Sequence, residues 1–151
     1  MGVLRAISSM FIQTLPDSQS PYQLHRAMNF EIVGSRGQVI EREALLITRP
    51  GNDVPDGWKS VLVGSAPGFL GPRELPKLRE VIVSYLKNRP GGAVVIDCPE
   101  YLAVYNGFKA LMRFLHAIRD YAILYKGKVY LVTGETAWDG KEYAVLRGLE
   151  V

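Results

Sequence analysis

The stretch Ala93-Val94-Val95-Ile96-Asp97-Cys98-Pro99-Glu100-Tyr101 decides the fold. Its four opening residues are apolar without polar alternation, and Val94, Val95 and Ile96 are β-branched. Such a run suits a strand buried on both faces, as in a parallel sheet covered by helices. It then stops on a carboxylate. Similar runs recur on both sides: Phe30–Val33 ahead of Gly34-Ser35-Arg36-Gly37, Ala44–Arg49 stopped by Pro50-Gly51, Ser60–Gly64, and Lys128–Gly134. Two amphipathic segments lie between them. From about Arg73 to Asn88, Leu75, Leu78, Val81, Ile82, Tyr85 and Leu86 share one helical face, closed by Pro90-Gly91-Gly92. From about Asn106 to Lys126, Phe108, Leu111, Leu115, Ile118 and Ala122 form a second stripe, with Asn106 as N-cap and Gly127 as the C′ stop. Strand–helix–strand order with connections of this length means right-handed crossovers. The expected fold class is therefore α/β: a three-layer, mostly parallel open sheet with flanking helices, RecA-like or Rossmann-like.

Composition agrees with this. The chain has 151 residues, 48% apolar and 22% charged, ordinary globular usage and room for one domain. Its one cysteine, Cys98, excludes an internal disulfide and a multi-cysteine zinc site, and favours a reducing, cytoplasmic setting. No apolar run reaches the ~18 residues of a membrane span, and Met1–Leu15 does not read as a signal peptide. A net charge of +3 is spread along the chain. Arg73, Lys77, Arg79, Lys87 and Arg89 gather near one helix, but Glu74 and Glu80 interleave with them, so a solvated face is expected rather than a nucleic-acid site.

Residues 1–29 differ from residues 30–151, the α/β domain. Leu4, Ile7, Phe11 and Leu15 recur at helical spacing before the loop Pro16-Asp17-Ser18-Gln19-Ser20-Pro21. The reading is an N-terminal arm or helix.

Open parallel sheets bind ligands at the carboxyl ends of their strands. Those ends place Arg49, Asp97, Glu100, Tyr101, Asn106 and Thr133 in one candidate crevice. A strand ending in Asp resembles the way nucleotide-hydrolysing folds present a carboxylate to magnesium. However, no Gly-x-x-x-x-Gly-Lys-Ser/Thr occurs, and Gly34-Ser35-Arg36-Gly37 has no lysine and is too short for a phosphate cradle. The preferred reading of Asp97 is a carboxylate that accepts loop hydrogen bonds. Asp97 and Glu100 could form an acid/base pair, but two carboxylates near one turn are read as solvated or salt-bridged, with Arg49 as the cation. Tyr101 is expected to be half-buried. Cys98, His25 and His116 form no ligand set or catalytic pair, and Cys98 is read as a quiet thiol with no helix N-terminus aimed at it. Trp58 and Trp138 are either contact anchors or covers for the core edge. No catalytic residue, metal or cofactor is expected.

The block Val94-Val95-Ile96-Asp97-Cys98-Pro99-Glu100-Tyr101-Leu102 through Asn106-Gly107-Phe108 resembles the signature of the archaeal domain of unknown function 835. Phe114-Leu115-His116-Ala117-Ile118-Arg119-Asp120 is similar to that family's helix, Leu45–Pro50 to its Ile-Thr-Arg strand end, Trp58 to Gly64 to its next strand, and Tyr143–Arg147 to its closing segment. The resemblance spans about residues 41–149. It departs at Gly148, where the family tends to have an acid, and before residue 41. There the family's strand–helix unit is shortened to about ten residues between Val33 and Ala44. The resemblance implies an archaeal domain often joined to sensory or kinase-like regions, with a core order like a RecA-like ATPase that has lost its phosphate loop.

These readings converge on a non-catalytic protein–protein interaction or scaffold domain in archaeal signalling, motility or regulation, with a degenerate nucleotide-binding or hydrolysing domain as the alternative. In that alternative Asp97 holds a metal, Arg49 a phosphate, and Glu100 orients water. The expected partner is a protein, with no membrane span, and the expected assembly is a homodimer through the arm, because Val3, Leu4, Ile7, Met10, Phe11 and Ile12 carry more apolar surface than a free arm exposes. Truncation after Asp17 is expected to give a soluble monomer by light scattering. A truncated protein that unfolds or aggregates would instead make the arm a piece of its own domain's core.

Overall fold

Among the described residues, five strands, β1 (Phe30–Val33), β2 (Leu45–Thr48), β3 (Lys59–Leu62), β4 (Ala93–Ile96) and β5 (Lys128–Val132), pair in parallel throughout, in the order β1-β5-β4-β2-β3. The computed structural model describes residues 28–151, and the arm read from residues 1–27 lies outside them. Four helices follow the later strands: α1 (Leu75–Asn88), α2 (Pro99–Asn106), α3 (Phe108–Leu124) and α4 (Gly140–Arg147). This is the α/β architecture expected, a parallel sheet with flanking helices. Among the described residues, no helix is long and apolar enough to cross a membrane.

Side-chain alternation splits the core in two. Phe30, Ile32, Leu45, Ile47, Val94, Ile96, Val129 and Leu131 point to one face and pack with Leu78, Ile82, Leu102, Leu111, Leu115, Ile118 and Leu146 of the four helices. Val33, Leu46, Val95 and Tyr130 point to the other face, where they pack with Val39, Ala44 and Trp58. Helices thus flank one face, and the described layer on the other is irregular chain. The strand order explains why. β1 and β2 follow each other in sequence, yet β5 and β4 lie between them, so residues 34–44 must traverse the sheet. Three inter-strand steps span about 14 Å, within reach of an extended segment of this length. This strap is pinned where it crosses β5: Glu41 accepts a hydrogen bond from the Tyr130 hydroxyl at 2.8 Å and lies 3.7 Å from the Lys128 ammonium, while its carbonyl accepts from the Trp58 indole at 3.0 Å. The shortened first unit seen in the sequence is this strap.

The outer edge of β1 is covered by the chain's end. Asn29 donates to the Val151 carbonyl at 2.7 Å, and Ile32 to the Glu150 carboxylate at 2.9 Å. This leaves fewer unpaired edge groups open to another strand. The opposite edge, β3, is not doubly buried as its apolar run implied, for Lys59 and Ser60 are exposed.

Two sequence readings are corrected around α3. The helix does not begin at Asn106. Asn106 is the last residue of the separate helix α2, and Gly107 is both the C-cap of α2 and the N-cap of α3. The Asn106 amide instead donates to the carbonyls of Leu102 and Pro72, both at 2.8 Å, which finishes α2 and fastens it to the chain ahead of α1. At the far end, the left-handed C′ residue is Lys126 (φ 59), not Gly127. Lys126 donates to Ile123 at 3.3 Å and Gly127 to Ala122 at 2.8 Å, the paired bonds of a Schellman close. Gly127 is required for space: a Cβ there would lie 2.8 Å from the Gly92 carbonyl oxygen and 2.7 Å from Leu86.

Gly107 adopts φ 84, ψ 157, a region that L side chains enter only with strain. Gly107→Ala is expected to lower unfolding free energy by about 1–3 kcal/mol, although open space surrounds the position. Gly134→Ala, also in open space but in extended backbone, should be close to neutral. Equal denaturation midpoints for the two variants would contradict a conformational role for Gly107.

Candidate functional site

The carboxyl ends of the strands bring polar side chains together, and most of them engage one another. Asp97 follows β4, and its Oδ2 accepts a hydrogen bond from Thr48 Oγ1 at the end of β2, at 3.0 Å. Thr48 is fully buried and also accepts from the Asn52 amide at 2.9 Å. Arg36, in the short 3-10 turn Arg36–Gln38 after β1, lies 3.6 Å from the same Asp97 oxygen and also donates to the Asp53 carbonyl. The Asp97 side chain is only 10% exposed, and its Oδ1 is buried without a hydrogen-bond partner among the described residues.

A second chain of contacts runs through α2 and the end of β5. The Thr133 hydroxyl donates to the Glu100 carboxylate and accepts from the Trp138 indole at 2.8 Å. Trp138 also meets Phe108 edge-on, with centroids 5.7 Å apart. Trp138 therefore covers the core edge, as Trp58 does on the other face.

Arg49 is not the partner of either carboxylate. Its guanidinium donates to the Val63 carbonyl at 2.8 Å and stacks 3.7 Å above the Tyr101 ring. The cation facing Asp97 is Arg36, for which the sequence offered only a charged residue in a glycine-flanked turn. Neither carboxylate has the partners read from the sequence: Asp97 takes the Thr48 hydroxyl and Arg36 in place of loop amides, and Glu100 takes the Thr133 hydroxyl in place of a cation. Tyr101 is half-buried as expected, but its hydroxyl faces a side chain, Ser65, at 3.5 Å.

Cys98 also differs from its sequence reading. A helix does begin beside it, since it is the N-cap of α2. The thiol is nevertheless pushed up to about 12, by burial first and then by the Asp97 charge. Its sulfur turns inward toward the Ile47 carbonyl at 3.7 Å. A helix N-terminus lowers a thiol pKa only when the sulfur stays near the free amides and out of the apolar core.

The turn after β1, where a phosphate cradle would sit, is closed by its own side chain. Gln38 Oε1 accepts from the Gly34 amide at 2.7 Å and from the Ser35 amide at 2.9 Å. Those donors are the ones a phosphate would need. Among the described residues, no three His, Cys, Asp or Glu side chains group as metal ligands.

Sequence reasoning missed the surface beside this network. Residues Gly64, Ser65, Phe69, Arg73 and Tyr105 line a shallow depression of about 370 Å³ at the N-terminus of α1. Tyr101 and Tyr105 contact edge-on at 5.0 Å. Their i, i+4 spacing was the available signal, but it is legible only once α2 is recognised as a helix. Larger recesses of about 920 and 760 Å³ lie against the strap, the first at the amino end of β4 and β5. Their charges are partly paired already, Glu41 with Lys128 and Glu43 with Arg89 at 3.0 Å.

Burial holds the Asp97 carboxyl above its ordinary value of 3.8. The Thr48 hydrogen bond and the Arg36 charge oppose this, and Glu100 adds to it. An acid raised on folding binds its proton more tightly in the folded state, so the stability it contributes is complete below 3.8 and is lost as pH rises through the raised value. The melting temperature of the wild type is therefore expected to fall relative to that of Asp97→Asn as pH rises across that window. A difference between the two proteins that does not vary with pH would contradict ionisation of Asp97 in the fold.

Comparison with known proteins adds one assignment. No curated protein matches the chain. The model of one family, described as "Protein of unknown function (DUF835)", matches residues 30–149. The match begins at β1 and so includes the strap, which the sequence resemblance from residue 41 had left out. The chain belongs to this family of unknown function, DUF835.

Proposed function

We propose that this domain is a non-catalytic protein–protein interaction or scaffold module, cytoplasmic and homodimeric, working in archaeal signalling, motility or regulation. The observation that carries the reading is the self-satisfaction of the strand ends. Asp97, Glu100, Thr133 and Arg49 are each engaged by a neighbour, and the Gly34 and Ser35 amides are taken by Gln38. Catalytic groups are instead held toward an open space where a reacting atom can sit. Asp97 lines none of the three recesses described above. Polar groups tied to one another across the strand ends fix the register of a fold, which is what a binding scaffold requires. The dimer rests on the apolar arm of residues 1–15 read from the sequence.

One observation favours the alternative of a degenerate nucleotide-binding domain: the unpartnered Oδ1 of Asp97. A metal ion there would satisfy it. That reading also needs Arg49 and Glu100 to leave their present partners.

Titration calorimetry with ATP and with GTP, each with magnesium, separates the two readings. The expected result is no heat of binding. Sub-millimolar binding that disappears in Asp97→Ala would replace the scaffold reading with the nucleotide one.

A further inference from the structure

The depression at the N-terminus of α1 is edged by an alternation of cations and rings. Arg49 stacks at 3.7 Å on Tyr101, Tyr101 meets Tyr105 at 5.0 Å, and the Arg73 guanidinium lies 5.8 Å from the centre of Tyr105. Neither Arg49 nor Arg73 forms an ion pair with a carboxylate among the described residues. The nearby Glu74 is turned back to accept from the Gly71 amide at 2.9 Å. Glu74 is the N-cap of α1 and a wall of the depression, and no further acid follows it in the first turn of the helix, so the two guanidiniums face one carboxylate that is already bonded. The Tyr105 hydroxyl is held below its ordinary range by hydrogen bonding with Ser65 and Tyr101, with Arg49 and Arg73 acting in the same direction. These features make one positive ledge. Apolar surface adjoins it: Phe69 on its rim, and Val104, which is 79% exposed, next to Tyr105 on α2.

We infer that this ledge binds an extended acidic peptide segment of a protein partner, with carboxylates on Arg49 and Arg73 and an apolar side chain against Phe69 and Tyr105. The inference rests on the interaction-module reading and names the partner's chemistry. Three points select a peptide over a nucleotide. Arg49 already covers a face of Tyr101, and the two tyrosine planes meet at 62°, so they form no parallel slot for a base. Ser65, Ala66, Phe69, Arg73, Glu74 and Tyr105 are all exposed, so the walls are too low to enclose a small molecule. Arg49 gives one N–H to the Val63 carbonyl and, stacked on its ring, keeps its remaining edge N–H groups for a carboxylate, while Arg73, farther from its ring and exposed, can take a carboxylate bidentately. The Arg-to-Arg path across both rings is a span for at most about four extended residues.

The test uses a fluorescein-labelled peptide of glutamates around one phenylalanine and its glutamine counterpart, read by anisotropy on the full chain. The glutamate peptide should bind about tenfold or more tightly than the glutamine peptide and weaken with added salt. Arg73→Glu and Tyr105→Ala should each lose about tenfold, while Arg113→Glu, an exposed change on α3, should not. Amide shifts in NMR spectra should move at residues 64–74 and 101–105. Unchanged melting curves verify that the variants fold, and Arg73→Gln should repeat the loss in smaller measure if Arg73→Glu does not fold. Equal binding of both peptides, no binding of either, or full binding by a folded Arg73→Glu overturns the acidic-peptide proposal and leaves the scaffold reading to calorimetry. Displacement of the glutamate peptide by ADP with magnesium, dependent on Arg73, overturns both.

Discussion

The strand order imposes the constraint on which the rest depends. β1 and β2 are consecutive in the chain but separated in the sheet by β5 and β4. The segment between them has to cross a face of the sheet. A helix on that route would need more chain than residues 34–44 supply, so the crossing is made by an extended strap. The strap buries Val39 against Leu46, Val95 and Tyr130 and carries Glu41 to Tyr130. Among the described residues, the layer that a larger α/β domain builds from a helix is made of one traverse and the Trp58 ring.

The same crossing sets the chemistry of the strand ends. Where the strap leaves β1 it turns through Arg36–Gln38, and that turn delivers Arg36 to Asp97 while Gln38 takes the Gly34 and Ser35 amides. In folds that bind phosphate at this position, the amides after the first strand face outward at a helix N-terminus. Here they face a side chain of the same turn. The position is conformationally fixed and electrostatically spent, and the polar groups around it hold β1, β2 and β4 in register.

The Asn-Gly-Phe block marks a corner by the same logic. Asn106 ends α2 and ties it to Pro72, Gly107 turns the chain through a conformation that suits glycine, and Phe108 begins α3 and meets Trp138. This corner fixes α2 across the strand ends, which places Glu100 on Thr133 from one side of the helix and Tyr101 beneath Arg49 from the other. The aromatic–cationic ledge is thus a by-product of the corner that closes the crevice.

The sequence alone determined the strands and the long helices, because continuous β-branched runs and 3.6-residue stripes record burial directly, as Val94–Ile96 and the Leu111–Leu115–Ile118 face do. It also placed Arg49, Asp97, Glu100, Tyr101 and Thr133 near one edge, because parallel strands share a carboxyl end. It could not separate α2 from α3: Pro99–Asn106 is a short helix with few buried positions, and its apolar residues continue into the next stripe. It could not pair Asp97 with Arg36 rather than with Arg49, because that choice follows from strand order, which no local pattern encodes. Nor could it show that Gly127 serves for space while Lys126 takes the left-handed turn, since the obstacle is the Gly92 carbonyl, 35 residues away in sequence. Local periodicity reports what each segment buries. Which segments then touch is decided by the crossing of the chain over the sheet, and that exists only in the folded protein.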